Sequence, residues 1–270
     1  MILTVTVDNR AISFALFSGD AEPAQATPVA TACFAAHPAR TADEYAGLLA
    51  TALAHKVGAV RVKTAILASV VPSLTEVIKD AISQVSPDTV CLTVGAGLRS
   101  GLILRTDTPA ELGADLVALA AGALALCKPP FLVLDSGAVT TLSAVGAGKN
   151  GAEFLGCAIL PGPALCADAL KVYAAQLPHV ALSRPARAIG ANTGDSIRAG
   201  VVLGHGAAVE GLACRLEQEM GECDLPLILT GESAQMLSFS RRRVTYDAHL
   251  AHRGLYRLAG LNANKSGKRG

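Results

Sequence analysis

Apolar residues come in short runs broken by polar turns, and the spacing switches between strand and helix periods along the chain. Ile2–Val7 and Ile12–Phe17 are apolar, β-branched runs set around Asp8-Asn9-Arg10-Ala11. A turn-prone Asp-Asn between two such runs predicts a hairpin. Asp43–His55 places Tyr45, Leu48, Leu49 and Leu53 on one face, which predicts a helix. Lys63–Val71 reads as a buried strand, and Pro72-Ser73-Leu74 opens a helix through about Ser83. Thr89–Val94 is a further strand. Gly95, Gly97 and Gly101 then loosen the chain before Pro109 and Glu111 open a helix over Leu112–Leu126.

A second round starts after Lys128-Pro129-Pro130. Phe131–Leu134 reads as a buried strand ending at Asp135-Ser136-Gly137, with Val139–Val145 as its hairpin partner. Ala158–Leu160 is a short strand, and Pro161-Gly162 starts a helix through about Ala175. Ser196–Gly221 is a long helical stretch. Pro226–Leu229 is a last strand, followed by Thr230-Gly231 and a helix from Ser233. Each half opens with a strand–turn–strand unit, although no sequence repeat joins them.

Composition narrows the class. Over 270 residues, 51% are hydrophobic and 17% charged, enough for a sizeable core. Trp is absent and aromatics make up 4%, so that core is aliphatic. A net charge of +1 points to neither a nucleic-acid nor a membrane partner. The basic tail, Lys265, Lys268 and Arg269, reads as a frayed terminus. Seven cysteines, an odd number without a C-x-x-C pair, fit neither a disulfide framework nor a zinc site; they are expected to be reduced and mostly buried in a cytoplasmic protein. Met1-Ile2-Leu3-Thr4 lacks the basic start of a signal peptide. Leu112–Cys127 is too short for a membrane span and carries Asp115, so a buried helix is expected.

Several segments taken in order resemble one family. They are Ser69–Leu74, Val94-Gly95-Ala96-Gly97-Leu98-Arg99-Ser100-Gly101-Leu102, and Pro109-Ala110-Glu111-Leu112-Gly113-Ala114-Asp115. They continue with Asp135-Ser136-Gly137 and Thr140-Thr141, Phe154–Gly162, Asn192-Thr193 through Gly200, Leu229-Thr230-Gly231, and Leu250 to Leu255. Together they resemble the type III pantothenate kinases of the acetate/sugar kinase–Hsc70–actin superfamily. The resemblance implies an α/β fold of duplicated ribonuclease-H-like (actin-like ATPase) domains, here 1–112 and 113–270, with a cleft between them. It implies ATP-dependent phosphorylation of pantothenate in coenzyme A biosynthesis, with Mg2+ and a monovalent cation (K+ or NH4+), in a homodimer.

The same resemblance distributes roles. Asp115 matches the proton-accepting carboxylate, although a helix N-terminus favours an Asp on its own account. Gly113, Ala114, Thr106 and Thr193 fall at substrate positions; Thr193 also suits a helix N-cap region. Thr6, Asn9, Gly137, Thr140, Thr141, Thr230 and Gly231 fall at nucleotide or phosphate positions, and Asp135 at the monovalent cation. The Asp135–Thr141 stretch otherwise reads as a polar β-turn, and Thr230-Gly231 as a strand-to-helix turn.

Chemistry-bearing positions also depart from the pattern. Thr6 stands where the metal-linked Asp belongs, Asp8 at a Gly and Arg10 at a Thr. Leu116 replaces a substrate-contacting Arg, whose fork Leu cannot mimic. Thr106 replaces a Tyr, Ala138 a Thr, Ser143 an Asp and Glu232 a Gly. Losing one electrostatic contact of this kind costs about 3–4 kcal/mol in a transition state. The sequence therefore leaves three readings: an impaired pantothenate kinase, a kinase for another small hydroxy compound, or a non-catalytic paralogue acting as a regulatory or partner-binding dimer.

Overall fold

A computed structural model describes residues 1–58, 60–174, 176–239 and 242–263. The basic tail lies outside them. The described chain forms two compact units: Met1–Lys128 with the helix that follows His249, and Pro129–Ala248. The units divide at Lys128/Pro129, and the last helix returns to the first of them.

The first unit holds strands β1 (Ile2–Val7), β2 (Ala11–Phe17), β3 (Ala30–Ala35), β4 (Thr64–Ser69), β5 (Val90–Thr93) and β6 (Leu102–Leu104). Its helices are α1 (Ala42–Val57), α2 (Pro72–Val85) and α3 (Ala114–Leu126). The sheet order is β3-β2-β1-β4-β5. The predicted hairpin pairs Val7 with Ile12 and Ile2 with Phe17, while β4 and β5 run parallel to β1.

Strand β4 is apolar and buried from Ala65 to Ala68 because both its faces are covered. Ala65 and Leu67 join Tyr45 and Leu49 of α1 and Ile78 and Ile82 of α2. Ile66 and Ala68 face Val117, Ala118 and Ala121 of α3 on the other side. Helix α1 starts where Thr41 and Glu44 form a reciprocal capping box. Helix α3 starts at Ala114, after a 3-10 turn over Pro109–Glu111, and buries every residue from Leu116 to Ala123. That confirms the buried-helix expectation.

In the second unit, β7 (Phe131–Ser136), β8 (Val139–Gly148), β9 (Gly151–Pro161), β10 (Leu227–Thr230) and β11 (Val244–Tyr246) follow the order β11-β10-β7-β8-β9. Read from its first strand, the pattern repeats that of the first unit: an antiparallel partner on one side and a parallel partner on the other. The duplication that the two hairpins suggested is thus present in topology.

Some expectations change. The strand expected at Ala158–Leu160 is an 11-residue β9. The helix expected from Ser233 is a single 3-10 turn, Ala234–Met236. Helix α4 spans Pro163–Tyr173, and Ala175 lies outside the described residues. The long helical stretch comprises α5 (Thr193–Arg198), a π-helical turn at Ala199–Leu203, and α6 (Gly204–Met220), which lays Val209 and Ala213 into the core of this unit. By length and composition alone this stretch could cross a membrane. The cysteines are expected to be mostly buried, but none is: Cys33, Cys214 and Cys223 are exposed and the others half-buried.

The chain ends its described course in α7 (Leu250–Asn262), which crosses α3 at very short range. A Cβ at Gly254 would collide with the Ala118 carbonyl, and one at Gly122 with the Leu250 carbonyl. Only glycine allows the two backbones to approach this closely.

Candidate active site

In open α/β sheets, ligands bind beyond the carboxyl ends of the strands. In the first unit those ends are aligned, with Val7 opposite Ser69 and Leu67 opposite Thr93. The β1–β2 turn, the start of α2 and the Gly95–Gly101 loop directly follow these strands.

Thr6 is half-buried near the end of β1, between Ser13 and Ala68. Asp8, Asn9 and Arg10 are exposed. The Asp8 carboxylate turns back on its own loop: Oδ1 accepts the Arg10 N–H at 2.7 Å and the Ala11 N–H at 2.8 Å. The Ser69–Leu74 segment leads into α2, with Thr75 Oγ1 donating to Ser69 Oγ at 2.9 Å and Val71 N–H to the same oxygen at 3.2 Å.

The glycine loop is held from below by α7, a contribution that sequence reasoning missed. Asn262 pairs with the backbone of Arg99 in both directions, accepting its N–H at 3.1 Å and donating to its carbonyl at 2.9 Å. Arg257 donates to the Ser100 carbonyl at 3.1 Å. Gly97 and Gly101 take φ of 83° and 73°, a region that L side chains avoid. The Arg99 residue itself stays exposed.

Asp115 lies in the first turn of α3, half-buried. Burial raises its carboxyl pKa above the ordinary value; the N–H groups of Leu116 and Asp115 itself pull it back, and the charge of Asp8 raises it further. Gly113 makes this geometry possible, since a side chain there would collide with Asp115 Oδ1. Ala114 is half-buried beside it. Leu116 is 8% exposed, so the position expected to carry an Arg fork points into packed interior. Thr106 is half-buried, and its Oγ1 is buried without a hydrogen-bond partner.

In the second unit, three turns close on one another. Gly162 N–H donates to the Ala138 carbonyl at 2.9 Å, and Ser233 N–H to the Ser136 carbonyl at 2.8 Å. Gly231, at φ 100°, abuts Asp135 Oδ1 and the Ser136 backbone so closely that no Cβ fits. Asp135, Gly137, Thr230 and Gly231 are therefore neighbours, with Thr230 opposite Asp135 in the parallel ladder. The Ser136 hydroxyl, which sequence reasoning passed over, is fully buried there without a partner.

Thr140 and Thr141 separate, as alternation along a strand requires. Thr141 is half-buried, whereas Thr140 is fully buried with Oγ1 3.0 Å from His205 Nε2. Thr140 thus ties α6 to the sheet. Sequence reasoning passed over His205; burial lowers its pKa. Thr193 is exposed at the first position of α5, where the cap is Asn192, whose side chain accepts the Asp195 N–H at 2.9 Å. Glu232 is exposed beside Gly231. Among the described residues no cluster of three or more His, Cys, Asp or Glu could hold a metal ion on its own.

A family model described as "Type III pantothenate kinase" matches residues 2–215. The chain belongs to the type III pantothenate kinase family. It is 36% identical over 223 residues to the type III pantothenate kinase of Moorella thermoacetica, covering 82% of this chain and 84% of that one. It is 35% identical over 268 residues to that of Rhodospirillum centenum, covering 97% and 99%. Among solved structures it is similar to a Campylobacter jejuni protein described as a Baf family transcriptional activator, with a TM-score of 0.58, 18% identity, and coverage of 97% and 99%. It also resembles component A of the Acidaminococcus fermentans (R)-2-hydroxyglutaryl-CoA dehydratase, with a TM-score of 0.53, 13% identity, and coverage of 99% of each chain. These structures carry the duplicated ribonuclease-H-like fold across nearly the whole length. The type III pantothenate kinase scaffold is thus intact in a chain whose Thr6, Asp8, Leu116, Ala138 and Glu232 depart from the expected site.

Proposed function

We propose that the protein is a pantothenate kinase of reduced turnover in coenzyme A biosynthesis, with Asp115 as proton acceptor. The observation that carries this is the Asp115 carboxyl. It is held by Gly113 at the helix start, and burial shifts its pKa upward, toward the range useful for a base near neutral pH. In the reaction the pantothenate hydroxyl oxygen attacks the ATP γ-phosphorus, its proton passes to Asp115, and the γ-phosphoryl parts from ADP. Such transfer depends on alignment and charge stabilisation more than on covalent chemistry.

Magnesium, supplied with ATP, would neutralise the phosphates. The nearby protein carboxylates are Asp8 and Asp115, a sparse set that suits a cation bound mainly by phosphate and water. Asp135 is the proposed ligand of K+ or NH4+, and Gly137, Thr141, Thr230 and Gly231 would flank the nucleotide. Thr106 and Thr193 would meet pantothenate. A cytoplasmic homodimer is part of this reading. It is supported in the second unit by exposed apolar side chains on β9 and α4, among them Ile159 at 67%, Val172 at 71% and Tyr173 at 89%.

The second reading, a non-catalytic paralogue, is favoured by the inward-facing Leu116 and by the Asp8 carboxylate in the β1–β2 turn. A phosphotransfer assay on the full chain, with ATP binding measured in parallel, separates the two. Phosphopantothenate that disappears in Asp115→Asn supports the kinase. ATP binding without transfer to pantothenate or to any of a panel of small hydroxy compounds supports the paralogue.

A further inference from the structure

The β1–β2 turn is closed from within. Two successive backbone N–H groups, those of Arg10 and Ala11, converge on one carboxylate oxygen of Asp8, at 2.7 and 2.8 Å. The Asp8 N–H in turn donates to the Ala11 carbonyl at 3.0 Å, locking the loop around that oxygen. Successive N–H groups aimed at one point form a concavity that binds anionic oxygen. Here the oxygen is already supplied by the chain.

An intramolecular occupant is hard to displace, because it pays no translational cost on binding and its effective concentration is high. Its contacts are also short and charge-assisted. We infer that the Asp8 carboxylate is a built-in substitute for ligand phosphate in this turn and is the residue that sets nucleotide affinity in the first unit. The inference rests on the reading of that turn as phosphate-facing, and differs from a simple account in which Asp8 repels phosphate by its charge.

The two accounts part on one substitution. Asn at position 8 keeps an acceptor oxygen that can close the same turn but carries no charge. Ala removes both. Calorimetry on the full chain would compare the wild type, Asp8→Asn and Asp8→Ala, with Mg-ATP and with tripolyphosphate as a probe lacking the nucleoside. Occupancy predicts that Asp8→Asn, which keeps a weaker, uncharged occupant, gains clearly less affinity than Asp8→Ala, which binds about tenfold tighter, the effect of removing one strong competing contact. If Asp8→Asn gains as much as Asp8→Ala, charge alone is at work and the inference fails.

Equal, measurable affinity in all three proteins overturns the inference and leaves the nucleotide reading standing. Binding by none of them overturns both. Thermal melts establish that each variant is folded. Backbone amide spectra add an independent readout: Asp8→Ala should move the Arg10 and Ala11 N–H resonances together, since both donate to the oxygen it removes. Resonances unchanged by Asp8→Ala would also sink the inference.

Discussion

His252 on α7 sits with Nδ1 2.9 Å from the Thr4 hydroxyl on β1, and its Nε2 lies 3.0 Å from the Ser13 hydroxyl on β2. Thr4 donates its own proton to the Ala15 carbonyl at 3.0 Å, so the ring must donate from Nδ1 and accept at Nε2. Every polar atom of this buried, neutral imidazole is satisfied. Burial, with a smaller contribution from His249, holds its pKa at about 3.

A pH dependence of stability follows. Between pH 6.5 and 3 the unfolded chain binds a proton at this position and the folded chain does not. Stability is therefore lost as pH falls below 6.5, by about 1.4 kcal/mol per pH unit from this group. Urea unfolding at pH 6.5 and 5.0 should differ by about 2 kcal/mol more in the wild type than in His252→Gln. An equal pH response in both proteins would refute the assignment.

The Glu217–Arg242 pair in the second unit is almost fully enclosed, at 7% and 5% side-chain exposure, and Glu217 also accepts the Leu225 N–H at 2.8 Å. Arg242→Ala would strand a buried carboxylate and should destabilise by about 3–5 kcal/mol, whereas replacing both partners by apolar residues of similar volume should cost much less. Denaturant midpoints of the single and double variants test the difference.

Gly254→Ala should be disproportionately harmful for an added methyl on a helix, where Ala is ordinarily the better helix former. The new Cβ meets the Ala118 carbonyl, so α3 and α7 must separate. A loss of about 1–3 kcal/mol is expected, with a visible fall in melting temperature. Gly260→Ala on the same helix, where nothing lies within 4 Å, should be neutral or stabilising.

If Asp115 is the proton acceptor, it must be ionised to work. Its carboxyl titrates above the ordinary range, chiefly because it is buried. Turnover should therefore rise with pH on the acid side through that raised value, and Asp115→Asn should lower kcat by about 10²–10⁴. Asp8→Asn should move the acid limb downward, because it removes a negative neighbour. An unmoved limb in that variant would mean that Asp115 is not the group titrating.

What could be read from the chain depended on how local its cause was. The β1–β2 and β7–β8 hairpins, the capped α1 and the largely apolar α3 follow from turn residues and periodicity within a few positions. Strand β3, with Cys33 and Ala35 on its exposed edge, and the Gly-bounded start of β9 have no such signature and are ordered by their neighbours. Helix α7 is invisible as a structural partner because its decisive residues are Gly254, Arg257 and Asn262, whose role exists only against α3 and the Gly95–Gly101 loop. At the candidate site, motif spacing found Asp115 and the Asp135 turn. It could not tell that Thr140 faces inward to His205, or that the Asp8 side chain folds back on its own turn.

The return of α7 to the first unit also orders events during synthesis. A ribosome that has reached Ala248 has made the whole second unit, yet the nascent first unit still lacks the helix that covers Ile66, Val117 and Ala121. That apolar surface has to wait, open to chaperones or to misplaced neighbours, while an intervening unit is completed. Birth order and folding order are thus reversed: the half of the protein begun first is the half that closes last.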